Sequence, residues 1–376
     1  MDNIFLSSAL AFIITFFSIP VIIEVAKSKK LYDEPGERKV HKDVIPTLGG
    51  LGIFAGFIIA TLIGVPLSHT SVLQYFLAAI MIIFFMGIKD DILILTAAKK
   101  FVGQLMAAAI LIKFGGIEIN NMYGFLGIHT IPPAASFLLT LFTIVVITNS
   151  FNLIDGVDGL AGSLGLLTSI IFGFYFYITG QILYTVMALS LAGSLIAFLI
   201  YNFNPARIFM GDTGSLLIGL LNSIFVIKFI SVASDPAYGF PMSSAPAIGF
   251  SILLVPLFDT LRVVGIRILS HRSPFVPDRN HIHHLLLDLG LNHKTITLTC
   301  VLANICFIGI AYSLQFTGTT MVMLFLVLMA TSVAGFIYYK RLIRKTRLSI
   351  NGQLKEESVL KSHKILTLAG EAVEQN

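Results

Sequence analysis

The stretch Asn149-Ser-Phe-Asn-Leu-Ile-Asp-Gly-Val-Asp-Gly-Leu-Ala-Gly162 stands between two apolar runs, residues 132–148 and 163–179, each near the length that crosses a bilayer. Within it Asn149, Asn152, Asp155 and Asp158 recur at spacings of three, which keeps them on one helical face or one side of a tight turn. Gly156 and Gly159 let the backbone turn sharply or approach a ligand closely. Carboxylates and carboxamides this dense at a membrane edge are unfavourable unless something binds them, and an oxygen-rich set suits a hard cation such as Mg2+. A polar knot between two membrane-length runs predicts an all-α, membrane-crossing chain whose chemistry lies at the bilayer edge.

Composition agrees. Of 376 residues 56% are hydrophobic and 12% charged, roughly half the charged fraction of soluble chains. With a mean hydropathy of +0.89, a soluble globular protein is excluded. Hydropathy predicts about eleven transmembrane helices, near residues 4–26, 50–67, 72–88, 101–115, 132–148, 163–179, 182–201, 215–232, 245–261, 295–314 and 319–339. The expected organisation is a polytopic integral membrane protein, with a transmembrane catalytic domain over residues 1–339 and a polar cytoplasmic tail over 340–376. The Met-Asp-Asn start lacks a basic n-region and a small-residue cleavage site, so the first run is expected to be a retained helix. Cys300 and Cys306 share one apolar run, which indicates neither a disulfide framework nor a zinc site.

The net charge of +5 comes from loops, and positive-inside loops facing anionic lipid account for it without nucleic acid. Every Lys and Arg except Lys113 and Lys228 falls in residues 27–42, in 89–100, at Arg207, in 262–294 or in the tail from Lys340. Placing those segments in the cytoplasm puts the N-terminus outside and the C-terminus inside, which requires an odd span count. The cluster Lys340, Arg341, Arg344, Lys345 and Arg347 reads as a stop-transfer and lipid-facing anchor. Gly52 and Gly56 form a small-xxx-small pair suited to seating a neighbouring helix. No internal repeat of the kind many secondary transporters carry is visible.

The acids, amides and histidines gather on that same cytoplasmic side. In the first loop, Asp33-Glu-Pro-Gly36 and Arg38-Lys-Val-His-Lys42 precede Pro46-Thr-Leu-Gly-Gly50, where a helix start offers backbone N–H groups to phosphate and His41 and Lys42 add charge. Asp90 and Asp91 end the third span. Adjacent carboxylates repel, so one is suited to act as a base or to bind a cation-bearing ligand, with Lys100 close enough to pair with them or with a phosphate. Between Asn202 and Ser215, Asp212 sits between Gly211 and Gly214 at a helix start, a position for a metal ligand; Phe209 either stacks on a base or packs. The last loop holds His271, Arg279, His281, His283 and His284. With oxygen ligands nearby and no Cys, pyrophosphate or sugar binding is favoured there over zinc.

In order, the Asp90-Asp91 pair, the NxxNxxDGxDGLA stretch from Asn149, the FMGDxGS segment from Phe209 and the PDRxHIHH loop from Pro277 resemble the polyprenyl-phosphate N-acetylhexosamine-1-phosphate transferases. The match runs from about Asp33 to Leu285. The HIHH form resembles the branch that makes undecaprenyl-pyrophosphate N-acetylglucosamine for O-antigen, common-antigen or teichoic-acid synthesis; the muramoyl-pentapeptide branch usually shows a triple-histidine form. The resemblance implies Asn152 and Asp212 as ligands of Mg2+, with Mn2+ as a substitute. It implies Asp90 and Asp91 near the lipid phosphate, one of them the base. Asp155 and Asp158 match acids of the central motif, and Asp158 with Phe209 the uridine pocket. Lys42 and Lys100 match basic residues of the site. Asn149 and Asn202 fall in the substrate-binding set, and Arg279, His281, His283 and His284 in the sugar and pyrophosphate loop, with His283 also counted as catalytic.

The activity so implied moves N-acetylglucosamine 1-phosphate from UDP-N-acetylglucosamine to undecaprenyl phosphate and releases UMP. It would take place at the cytoplasmic face of a bacterial plasma membrane, with a homodimer through the late helices in keeping with the family. One alternative keeps the reaction and changes the sugar: N-acetylgalactosamine, a dideoxy-aminosugar or muramoyl-pentapeptide. Another is a cation-coupled transporter, which needs polar groups deep in the spans. Only Lys113, Lys228, Glu24 and Asp259 come near span interiors, each close to an end.

Overall fold

The computed structural model describes residues 2–29, 31–33, 45–66, 70–271 and 280–373. Helix α1 (Asp2–Ser28) is followed by a minimal antiparallel ladder of β1 (Tyr32–Asp33) and β2 (Ile45–Pro46), then by α2 (Gly49–Gly64), α3 (Thr70–Ile92) and α4 (Ala97–Lys113). A hairpin of β3 (Asn121–Phe125) and β4 (Ile128–Thr130) leads to α5 (Pro133–Ile154), α6 (Leu160–Ile178), α7 (Ile182–Asn202) and α8 (Gly211–Ala233). The chain continues through α9 (Ala245–Ile252), α10 (Leu254–Leu269), α11 (Ile282–Asp288), α12 (His293–Ser313) and α13 (Thr319–Val373).

The protein is an all-α polytopic membrane protein. Each of the eleven hydropathy runs lands on helix, but the helices are unequal. Among the described residues eight are long and apolar enough to cross a membrane, or nine if α9 and α10 form one broken span. The remaining two runs are α2, of 16 residues, and α4, of 17.

The run near 245–261 is not the straight span expected. α9 and α10 meet at 83° around Leu253. Pro256, in the first turn of α10, has no N–H and crowds the preceding turn. The backbone groups freed at the break are satisfied from α12: Val255 N–H donates to Asn304 Oδ1 at 3.1 Å, and Asn304 Nδ2 donates to the Ile252 carbonyl at 2.9 Å. Irregular backbone at membrane depth persists only with such partners. Beyond the bend α10 runs on to Leu269, so Arg262 and Arg267 are helical rather than loop residues.

α8 is the most buried span, and α1 and α13 are among the least. It is buried around most of its circumference, as a helix enclosed by others must be. Two close approaches set what meets its first half. A Cβ at Gly87 of α3 would lie 2.5 Å from Thr213 Cα, and one at Gly219 of α8 would lie 2.6 Å from Thr148 Cα of α5. Glycine at these crossings brings α3, α5 and α8 into backbone contact at one end of the bundle. The Gly52 and Gly56 pair does seat a helix: Gly56 faces Ala11 and Thr15 of α1, and Gly52 faces Ile19.

Candidate active site

At that end, residues from four helices form one charged chain. Lys100, in the first turn of α4, would oppose the positive end of its own helix if left alone. Its Nζ lies 2.6 Å from Asp90 Oδ2 at the end of α3 and 2.6 Å from Asp212 Oδ2 at the start of α8. Asp212 Oδ1 accepts from Asn152 Nδ2 of α5 at 2.9 Å, and the same amide donates to Ser215 Oγ at 3.0 Å. Asp90 Oδ1 also accepts the Leu95 N–H, closing the α3–α4 turn.

Asp91 points elsewhere. Its carboxylate accepts the backbone N–H groups of Asp212 at 2.7 Å and Thr213 at 3.1 Å, and the Thr213 hydroxyl. It is therefore the cap of α8, supplied from another helix. Gly211 makes this reach possible: its φ is +70°, and a Cβ there would lie 2.7 Å from the Asp91 carboxylate.

The central stretch is divided between helix and turn. Asn149 and Asn152 lie on the last two turns of α5, Asp155 ends that helix, and Asp158 lies in the turn before α6. Asn149 exchanges hydrogen bonds with Gln104, at 2.6 and 3.3 Å. Gln104 is four residues from Lys100, on the same face of α4, and that spacing was the signal for it. Asp155 is pushed up to about 8, first by burial and then by the carboxylates of Asp212, Asp91 and Asp158. Burial and the three neighbouring carboxylates thus both disfavour the charged form of Asp155.

Asp158 and Asn202 join the central motif to its neighbours. Asp158 is buried; its Oδ1 lies 3.1 Å from His293 Nδ1, and its Oδ2 accepts from Asn204 Nδ2 and the Ala206 N–H. Asn202 accepts the Gly159 N–H and donates to the Ile208 carbonyl. Phe209 is half-buried with its backbone fixed, its N–H to the Pro46 carbonyl and its carbonyl to the Gly49 N–H. This corrects the expectation for the start of α2. The Gly49 and Gly50 N–H groups are not open to phosphate, because the Phe209 and Met210 carbonyls already accept them.

The histidine segment is held by a residue that sequence reading assigned no role. Asp259 of α10 lies 2.9 Å from His281 Nδ1 and accepts the Ile282 N–H and Arg262 Nη2, each at 2.9 Å. Arg262 in turn donates to the Asn280 carbonyl. The His281 and His283 rings are near parallel with centroids 5.7 Å apart, and His284 lies 4.3 Å from His283. His283 is 2% exposed, its Nδ1 has no hydrogen-bond partner, and its Nε2 faces Gly156, where a Cβ would lie 2.3 Å away. Burial, with His284 beside it, pushes His283 down to about 3, so it is a neutral hydrogen-bonding group at pH 7.

The structure thus brings Asp90, Lys100, Asn152 and Asp212 into direct contact, sets Asp91 and Asn149 beside them as supports, and stacks His283 on Gly156 next to Asp155. Lys42 and Arg279 lie outside the described residues. Among the described residues no group of three or more His, Cys, Asp or Glu side chains is arranged to hold a metal ion.

Comparison with known proteins shows what the chain is similar to. Residues 73–230 match the model of glycosyl transferase family 4. The chain is similar to a Bacillus subtilis protein named as a probable undecaprenyl-phosphate N-acetylglucosaminyl 1-phosphate transferase, at 32% identity over 92% of this chain and 99% of the relative. It is 34% identical to the decaprenyl-phosphate N-acetylglucosaminephosphotransferase of Mycobacterium tuberculosis, over 81% of each chain. It is 27% identical to the undecaprenyl-phosphate alpha-N-acetylglucosaminyl 1-phosphate transferase of Escherichia coli K12, over 83% of this chain and 85% of that one.

Proposed function

The chain belongs to glycosyl transferase family 4, and from that premise we propose that it transfers N-acetylglucosamine 1-phosphate from UDP-N-acetylglucosamine to undecaprenyl phosphate. A phosphate oxygen of the lipid attacks the β-phosphorus of the donor, a new P–O bond forms, and the bond to the bridging oxygen breaks as UMP leaves. The products are UMP and a lipid pyrophosphoryl sugar, and the reaction begins a cell-surface polysaccharide at a bacterial plasma membrane.

The observation that carries this reading is the Asp90–Lys100–Asp212–Asn152 chain at one end of an apolar bundle. Two polyanions must meet there, and Lys100 is placed to follow phosphate charge as it shifts from donor to product. Asp90 sits beside Lys100 and takes the proton of the lipid phosphate; direct attack is preferred to a covalent route. Asp155 and the neutral His283 face the central turn, where hydrogen bonds to pyrophosphate or sugar are needed. With its basic loops in the cytoplasm, N-terminus outside and eleven spans counting α2 and α4, the chain meets its soluble donor where the motifs gather.

Mg2+ fits the donor set. It takes one or two carboxylates, keeps several waters and shares substrate phosphates, so no all-protein cage is required. Asp212, the Ser215 hydroxyl and Asn152, its amide turned over from the donation it now makes to both, would hold it, and such an ion would offset the Asp212, Asp91 and Asp158 carboxylates that, after burial, raise Asp155. Bound there, the ion would neutralise developing charge on the transferred phosphoryl group. Asp212→Asn is expected to abolish UMP release while circular dichroism and melting stay those of folded protein; unchanged turnover would remove Asp212 from the site.

A further inference from the structure

α11 has seven residues, too few to be stable alone, yet it carries His283 and His284. Its first residues are fixed by Asp259, through His281 and the Ile282 N–H. Its last residue is an acid, Asp288, at the negative end of the helix, where a carboxylate is unfavourable unless paired. The pairing comes from α13. Arg341 Nε lies 2.6 Å from Asp288 Oδ2, its Nη2 meets the same oxygen, and Lys345 Nζ is 4.0 Å away. One turn along the same face, Arg344 packs on Gly290, whose φ is +78° and where a Cβ would lie 2.4 Å from Arg344 Nη1. The Arg341 side chain is 15% exposed and that of Asp288 39%, so the pair is partly shielded from solvent.

We propose that Arg341, with Arg344 and Lys345, is a positioning clamp on the histidine helix: α13 fixes the C-terminal end of α11 and so sets how His283 and His284 meet the nucleotide sugar. The inference rests on the reading of that helix as part of the donor site. It gives part of the basic cluster, expected from sequence to face lipid, a partner inside the protein. Asp288 and Arg341 touch no reacting atom; they act through the angle of α11.

The test uses the full chain in nanodiscs with Mg2+, undecaprenyl phosphate and UDP-N-acetylglucosamine, comparing Asp288→Asn, Arg341→Gln and the exchange Asp288→Arg with Arg341→Asp. Each single variant is expected to raise the donor KM about tenfold with kcat changed less than about threefold, and to speed amide hydrogen exchange over residues 282–290. The exchange variant is expected to recover most of both. Single variants with unchanged KM and unchanged exchange, or an exchange variant no better than the singles, would overturn the clamp. If the wild type itself transfers nothing, the functional reading fails, while the amide-exchange comparison still decides whether α13 holds α11.

Discussion

Asp91 holds Thr213 by both its backbone N–H, at 3.1 Å, and its hydroxyl, so the start of α8 is fixed by a side chain from α3. Asp90, one residue earlier, turns instead to Lys100. The adjacent acids should therefore separate experimentally. Asp91→Ala removes a helix cap, which costs about 0.5–2 kcal/mol, and is expected to lower the melting temperature and, through Asp212, the rate. Asp90→Asn, which keeps an oxygen for the Leu95 N–H, is expected to lose less melting temperature than Asp91→Ala and to reduce kcat by about 100-fold or more. Equal thermal losses in the two variants would remove the distinction.

Asp155 gives a pH signature. Its carboxyl is pushed up to about 8 from an ordinary value of 3.8. Between those values the folded state holds a proton that the unfolded chain has released, so this group lowers stability as pH rises. In chelator, the melting temperature of the wild type is expected to fall more from pH 5 to 8 than that of Asp155→Asn. The variant should be the more stable protein at pH 8, yet inactive. Parallel melting curves across that range would contradict the raised Asp155 carboxyl.

Asp259 offers a test of how the histidine segment is held. Asp259→Ala leaves His281, Arg262 and the Ile282 N–H without their shared acceptor, and removing one member of a buried pair costs about 3–5 kcal/mol. Asp259→Asn keeps the shape and part of the bonding. It is expected to lose less stability while weakening UDP-sugar affinity, measured by calorimetric titration. Unaltered affinity in folded Asp259→Asn would free the segment from this anchor.

Gly156→Ala tests the contact between the central turn and His283. The backbone at Gly156 is not among the left-handed glycines, so alanine brings no penalty of backbone conformation there. Its Cβ would meet His283 Nε2 at 2.3 Å and must move the ring. A drop of about tenfold or more in kcat/KM is expected, with a loss of stability of about 1–3 kcal/mol from the crowded ring. Full activity would show that the ring position does not matter.

Much of this was legible in the sequence, because bilayer length and polar spacing are local signals. The runs from residue 4 to 339 all fall on helix, and Asn152, Asp212, Asp90 and Lys100 do meet. What stayed hidden depends on partners distant in sequence. The bend at Leu253 relies on Asn304, the role of Asp91 on Thr213, and the closed start of α2 on the carbonyls of Phe209 and Met210. Of the partners of Asp259 only Arg262 is near in sequence; His281 and Ile282, which tie it to the histidine segment, lie more than twenty residues away. Hydropathy also gave no hint that the α13 cations would turn toward Asp288 rather than lipid.

The central claim is the reaction, and the most direct measurement is transfer by the purified protein in lipid. Undecaprenyl phosphate and Mg2+ would be supplied with labelled UDP-N-acetylglucosamine, UDP-N-acetylgalactosamine or UDP-muramoyl-pentapeptide in separate reactions, following label in the lipid phase and UMP release. Lipid-linked label and equimolar UMP from UDP-N-acetylglucosamine alone, both lost on chelation, are the expected result. Folded protein that moves no label from any donor would contradict the account.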